Sequence, residues 1–387
     1  MATGRARDVV VIGGGIVGTA CAYALADAGF SVTLVERYGL AAGTSSAGQG
    51  GLGLGLMSSD LERSMQLLGM NAYKRFVAEG HDIGYRQGGA LVVTHAEQAP
   101  AVAARTLFLQ EAGLPIEWLD GIQLREAEPG LSAEWVGAAL TRDAPVVFPM
   151  RVVRELARAA RNRGADIQVG VGSAQIELKA GRIHAVRTES GRIPTPCAVV
   201  AAGVWTPEVA SKCGIRVPIT CLKGHVLVVE TDGIVLRHQV SESAYEFTAR
   251  KPIQTLPSQG PTFATVLEQM TDRTLLVGSS REPSPIDLKA NTQHAAMVAA
   301  RATRVMPRLA HHRVIRMYAG LRPQTPDGAP LLGPTRAVEG LWFAAGHGGE
   351  GINQSLFSGQ LIADLMCGRS PAIDAAQLSP DRFALTA

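Results

Sequence analysis

The chain opens with an unbroken β-branched run, residues 8–12 (DVVVI), which suits a strand covered on both faces rather than one with a wet face. It enters GGGIVG directly. Residues 16–29 then read as a helix, with Ala20, Ala24 and Ala28 at four-residue spacing making a small-residue face able to lie close on a sheet, and Gly29 ending it. Residues 31–37 (SVTLVER) form a second strand. Strand, glycine turn, helix and strand within about 30 residues predict one βαβ unit with parallel strands and a right-handed crossover.

Further on, an amphipathic helix is predicted over 60–79, with Leu61, Met65, Leu68 and Tyr73 among its apolar positions, and a strand over 91–94. A helix near 150–163 leads into a strand at 167–171. Residues 198–205 (AVVAAGVW) read as a buried strand ending in a glycine turn. From 223 to 282 the pattern is strand-like (HVLVVE, TFATVLEQ, LLVGSS) with few helix signals. A buried strand at 341–345, a glycine turn and a helix over about 350–367 close the chain. Parallel α/β blocks at 1–86, 146–222 and 323–387 thus alternate with mainly β blocks at 87–145 and 223–322, predicting two interleaved domains.

Composition narrows the function. Hydrophobic residues make up 46% and charged residues 18%, which excludes long disorder, and 37 Lys and Arg against 34 Asp and Glu leave no basic footprint for nucleic acid. Five cysteines, far apart and without a C-x-x-C pair or histidines at ligand spacing, predict no metal site and a reducing, cytoplasmic setting. Residues 9–26 follow Arg5 and Arg7 and end in A-L-A, which imitates a secretory signal. Four glycines break that run, so it is read as part of the βαβ unit. The uncharged stretch within 38–59 is mostly Gly, Ser, Ala and Thr and reads as a loop, so no transmembrane segment is expected. Glycine is the outlier, at 43 of 387 residues, about 11% against a usual roughly 7%.

Those glycines concentrate where chemistry is expected. Gly13-x-Gly15-x-x-Gly18 stands between the first strand and helix, and Glu36 follows eighteen residues after Gly18 at the end of the second strand. In such a turn the first glycine makes the bend, the second admits a pyrophosphate and the third lets helix pack on strand, while the helix N-terminus favours the anion. Ile16 and Val17 lie inside this turn. Glu36 would accept from ribose hydroxyls and repel a 2′-phosphate, which argues against NADP. The motif leaves FAD and NAD open.

The rest of the chain resembles the D-amino-acid oxidase superfamily of flavoproteins, in its glycine oxidase, sarcosine oxidase and hydroxyproline or opine dehydrogenase branch. The resemblance is nearly full length. It rests on residues 9–37, GTSSAGQGG at 43–51, KGHVLVVE at 223–230, LLVGSSRE at 275–282, GLRPQTPDG at 320–328 and GLWFAAGHGGEGI at 340–352, in the family's order. It implies an α/β fold, a Rossmann-like FAD-binding domain interleaved with a β-rich (α+β) substrate domain. FAD would be held by the Gly13 turn, Glu36 and Arg37, by Thr44, Ser45 and Ser46, by Gly203, and by Gly346, His347, Gly348, Gly349, Glu350, Gly351 and Ile352. Trp205 is expected in the core, and Glu350 must turn away from reduced flavin.

On the substrate side the resemblance implies that Arg322 anchors a carboxylate; Tyr245 and His225 are pocket candidates by position, and no obligate catalytic base is expected, because a neutral amine can give up hydride once oriented. Two departures refine this. Gly349 stands where glycine oxidases carry a second arginine, which points to a bulkier amine such as proline, hydroxyproline or an opine. Met317 and Tyr318 stand where sarcosine oxidases have their flavin-tethering cysteine, so FAD is expected to be non-covalent. The 262–277 segment holds no lysine to assist oxygen, which leans towards a dehydrogenase with possible electron-accepting partner subunits. An oxygen-using oxidase and a catalytically silent FAD-binding subunit are the rival readings.

Overall fold

The structure, a computed structural model, describes residues 6–57, 59–233, 235–249 and 260–385. The outer ends of the expected domain blocks (1–5 and 386–387) and residues 58, 234 and 250–259 lie outside the described residues.

A six-stranded sheet runs in the order Leu331–Pro334, Leu341–Ala345, Ala198–Val200, Val9–Ile12, Val32–Glu36, Asp166–Val169, parallel except for the first pair. The opening strand sits at its centre, and its lack of alternation has a direct cause. Val9 and Val11 enter a core with Leu25 and Ile362, while Val10 and Ile12 enter a different core with Ile176, Val186 and Ile193. Helices cover one face and the small antiparallel sheet 175–194 the other.

The helix after the glycine turn spans Ile16–Asp27, and Gly29 has φ +92°. Its small-residue face meets another helix as well as the sheet. A Cβ at Gly359, in the closing helix Gly351–Met366, would collide with the Ala20 carbonyl oxygen, so the two helices pack backbone to backbone. The helix expected over 60–79 runs Asp60–Ala78 and begins with a capping box between Ser59 and Glu62.

An eight-stranded sheet has the order Val314–Gln324, Thr220–Glu230, Thr274–Pro283, Thr262–Thr271, Gln239–Glu242, Ala90–Thr94, Gly137–Thr141, Ile116–Asp120. All its pairings are antiparallel except that of Gln239–Glu242 with Ala90–Thr94, which joins segments 149 residues apart in register Ser241 to Val92. Helices Ala99–Glu111 and Thr292–Val305 belong to stretches read from the sequence as mainly β. The first buries only Val102, Thr106 and Leu109 and leaves Leu107 and Phe108 half exposed, which blurs its helical period. Among the described residues no helix is long and apolar enough to cross a membrane.

Candidate functional site

Strands of a parallel sheet end in a crevice where the chain turns to opposite sides, and ligands bind there. Val9–Ile12 lies between Val32–Glu36 on one side and Ala198–Val200 on the other, and a cavity of about 430 Å³ opens at its carboxyl end. Gly13, Gly15, Ile16, Val17, Glu36 and Arg37 line it. Gly18 does not. A Cβ at Gly18 would collide with the Gly13 carbonyl oxygen, so this glycine serves the close packing of helix on strand. The Glu36 carboxylate accepts from Gly14 N–H at 2.6 Å and from Tyr38 N–H at 2.9 Å, which fixes it at the cavity edge. Arg37 pairs with Glu208 at 3.0 Å.

The Thr44–Ser46 turn divides its labour. Ser45 Oγ accepts from the Ile16 N–H at 2.9 Å, and Thr44 Oγ1 donates to the Leu321 carbonyl at 2.6 Å, tying the loop to the neighbour of Arg322. Both residues line the cavity, whereas Ser46 turns back to the Gly43 carbonyl and does not. Gly203 lines it beside Trp205. Trp205 therefore corrects the sequence reading, because the glycine at 43 leaves its ring facing the cavity rather than a core.

Residues 346–352 close the other end, and all seven line the cavity. His347 is 4% exposed and its Nε2 meets Ser358 Oγ at 2.9 Å; that hydroxyl donates to the Gln354 carbonyl, so Nε2 carries the proton. Burial pushes its pKa down to about 4 and keeps the ring neutral. Glu350 accepts from Gln66 Nε2 on the helix Asp60–Ala78, which holds its carboxylate toward that helix.

Arg322 reaches the cavity from the edge strand Val314–Gln324 by crossing Gly224 on the neighbouring strand. A Cβ at Gly224 would collide with both terminal guanidinium nitrogens. Nη1 donates to the Ser280 carbonyl at 3.1 Å and Nη2 to Ser279 Oγ at 2.8 Å, leaving three of its five N–H groups. Among the described residues Arg322 makes no ion pair. Tyr245 lines the same end, and a Cβ at Gly349 would stand 3.7 Å from its hydroxyl and 3.8 Å from Arg322 Cδ.

His225 is a correction. It does not line the cavity; its Nδ1 is 2.7 Å from Ser280 Oγ and its Nε2 accepts from Asn291 N–H at 2.9 Å. The ring is buried and both nitrogens are occupied, so it supports the strand under Arg322. It also stands with Glu282 and His294 in the one group of possible metal ligands among the described residues, where those same two bonds compete with any ion.

Sequence reasoning missed Gln49, Gln239 and Glu268. Glu268 is fully buried and accepts from Gly50 N–H, Gly51 N–H and Gln239 Nε2 at 2.7 to 2.8 Å, clamping the glycine-rich loop that walls the cavity. Burial pushes its pKa up to about 7 against the pull of those donors. The only signal for such a clamp was the density of glycine at 48–55, and its carboxylate partner lies 218 residues beyond Gly50.

The cavity suits FAD on its own evidence. Between Glu36 and Arg322 its wall is largely glycine and alanine (Gly13, Gly15, Ala42, Gly43, Gly48, Gly203), so backbone amides rather than side chains face the space. A model of the family described as FAD dependent oxidoreductase matches residues 8–365. A glycine oxidase of Bacillus licheniformis is 29% identical over 374 residues, covering 93% of each chain. A D-amino acid dehydrogenase of Chromohalobacter salexigens is 30% identical over 306 residues, covering 77% of this chain and 68% of its own. The crystal structure of glycine oxidase from Geobacillus kaustophilus superposes with a TM-score of 0.87 at 25% identity, over 98% of this chain and 99% of the other.

Proposed function

Because the chain belongs to the family of FAD-dependent oxidoreductases, we propose that it oxidises the C–N bond of an amino acid or secondary amine, such as proline, hydroxyproline or an opine, to an imine. One observation carries the reading. Arg322 brings a guanidinium into the cavity, anchored by Ser279 and Ser280 and bound to no carboxylate among the described residues.

FAD would be held by the Gly13–Gly15 turn, Ile16, Val17, Glu36 and Arg37, by Thr44 and Ser45, by Gly203 and by 346–352. Bound FAD supplies the acceptor of a hydride and so of both electrons. The planar fork of Arg322 grips a carboxylate bidentately and thereby orients the amine-bearing carbon. Tyr245, across the gap left by Gly349, donates a further hydrogen bond to the substrate. The amide donors of 346–352 and the N-terminus of the helix Gly351–Met366 stabilise negative charge at this end. Neutral His347 offers no positive charge, and no side chain is needed as base once the amine binds unprotonated.

Electrons leave to an acceptor other than oxygen, including a partner subunit. The absence of lysine from 262–277, whose Val266 lines the cavity, supports this. Five cysteines without a disulfide support a reducing, cytoplasmic setting, and Met317 and Tyr318 in place of a tethering cysteine support a non-covalent flavin. In domain terms, 1–86, 146–222 and 323–387 form the cofactor domain, and 87–145 and 223–322 the substrate domain.

An anaerobic screen of flavin reduction over D- and L-proline, hydroxyprolines, opines, sarcosine and glycine tests the reading. Arg322→Leu should slow reduction at low substrate by about 30- to several-thousand-fold, the equivalent of roughly 2–5 kcal/mol for leaving a buried charge unpaired. Rates per bound flavin within a few-fold of wild type in a folded Leu variant would remove Arg322 from substrate binding.

A further inference from the structure

Beyond Arg322 the cavity passes into a smaller recess of about 40 Å³, whose walls include Tyr245, Arg281, Arg322, Gly349, Glu62 and Glu350. A water molecule needs roughly 10–15 Å³ of such space, so the recess admits about three heavy atoms, the size of a carboxylate. Arg281 stands on the strand Thr274–Pro283, on the opposite side of Thr220–Glu230 from the strand of Arg322, and is 6% exposed. Its guanidinium lies within the field of Arg322, and burial together with that like charge pushes its pKa down to about 10. Two cations brought to one recess, one of them buried, form a site whose natural complement is an anion.

The opposite wall carries two carboxylates. Glu350 is held by Gln66, and Glu62 accepts from Ser59 N–H at 3.3 Å in the helix cap. Glycine at 349 puts no side chain of its own between the Tyr245 hydroxyl and Arg322.

We propose that Arg281 and Arg322 form a two-arginine subsite, so that the preferred substrate is an iminodicarboxylate: a secondary amine with one carboxylate on Arg322 and a second on Arg281. This rests on the reading that Arg322 takes the carboxylate of an amine substrate, and it adds the second charge. Arg281 thus acts in specificity, selecting a dicarboxylate over the equivalent monocarboxylate.

Iminodiacetate and sarcosine make the cleanest pair, since they share an N-substituted glycine and differ by one carboxylate. With the FAD-loaded protein, binding is read by calorimetry and by perturbation of the flavin spectrum, and reduction is followed anaerobically. Iminodiacetate should bind at least tenfold more tightly than sarcosine. Arg281→Met should cut affinity for iminodiacetate at least tenfold more than for sarcosine, and Arg281→Lys should restore part of the difference. Equal binding of the two compounds, or an equal loss on both in the Met variant, overturns the subsite. If sarcosine or proline reduces the flavin while iminodiacetate does no better, the subsite falls and amine oxidation stands. If none of these compounds binds or reduces it, both fall.

Discussion

The two ends of the cavity are built on opposite principles. At the Glu36 end the wall is mostly backbone of the βαβ unit, joined by Ala201, Ala202 and Gly203 from the neighbouring strand, and its tightest contact, Gly18 against the Gly13 carbonyl, spans five residues. At the Arg322 end the wall is side chains drawn from distant segments: Arg322 anchored on Ser279 and Ser280, Tyr245 beside Gly349, and Gln66 reaching Glu350 across 284 residues. The first end should be intolerant of added atoms and the second of lost ones. A cofactor common to many enzymes can be met by a local, repeatable motif, whereas a substrate must be met by whatever side chains the sheet order brings together.

Gly18→Ala probes this contrast most severely. Its Cβ would strike backbone, which has no rotamer to yield, so a stability loss of about 3 kcal/mol or more and failure to retain FAD are expected in thermal unfolding and flavin content. A variant with wild-type flavin content would show that the turn is not backbone-limited.

A smaller effect comes from His347 at the other end. Its pKa falls from an ordinary 6.5 to about 4 on burial, so the folded state disfavours the protonated ring. Its contribution is therefore complete above pH 6.5 and lost as pH falls through 4, up to about 3 kcal/mol. His347→Gln should flatten the fall in melting temperature between pH 6.5 and 4.5. An unchanged slope would place the acid sensitivity elsewhere.

Glu36→Ala should have the mildest consequence. It removes the acceptor for Gly14 and Tyr38 N–H at the cavity edge and leaves the fold intact. FAD affinity should fall about 5- to 30-fold, in line with roughly 1–2 kcal/mol for lost hydrogen bonds. Equal affinity in a flavin titration would remove Glu36 from the site and weaken the claim that the βαβ unit carries this end.

Legibility followed the same divide. The strand at 9–12, its helix and the strand ending in Glu36 emerged within a residue or two of their observed limits, because period and punctuation are properties of adjacent residues. Arg322, Tyr245 and the 346–352 turn were reached only through resemblance, since nothing in their spacing says that they meet. His225 was misplaced into the pocket because a strand residue's face depends on register. The antiparallel pairing that sets His225 opposite Ala319 is disturbed by a bulge on its other side, between Lys223 and Val226. Trp205 was assigned to the core because bulk and apolarity are shared by core and cavity walls alike. The helix Ala99–Glu111 escaped notice because only one narrow stripe of it is buried.

What the sequence alone determined is the βαβ unit and its glycine turn, where steric limits act between residues a few positions apart and the motif carries its own geometry. What only the tertiary structure decided is the meeting of Arg322 with Arg281 and Tyr245, the clamp of Glu268 on Gly50 and Gly51, and the turning of Glu350 toward Gln66. Those contacts follow from strand order in the eight-stranded sheet and from its placement against the helix Asp60–Ala78. Such long-range pairings are selected by the burial and hydrogen-bonding of the whole chain, which no local window contains.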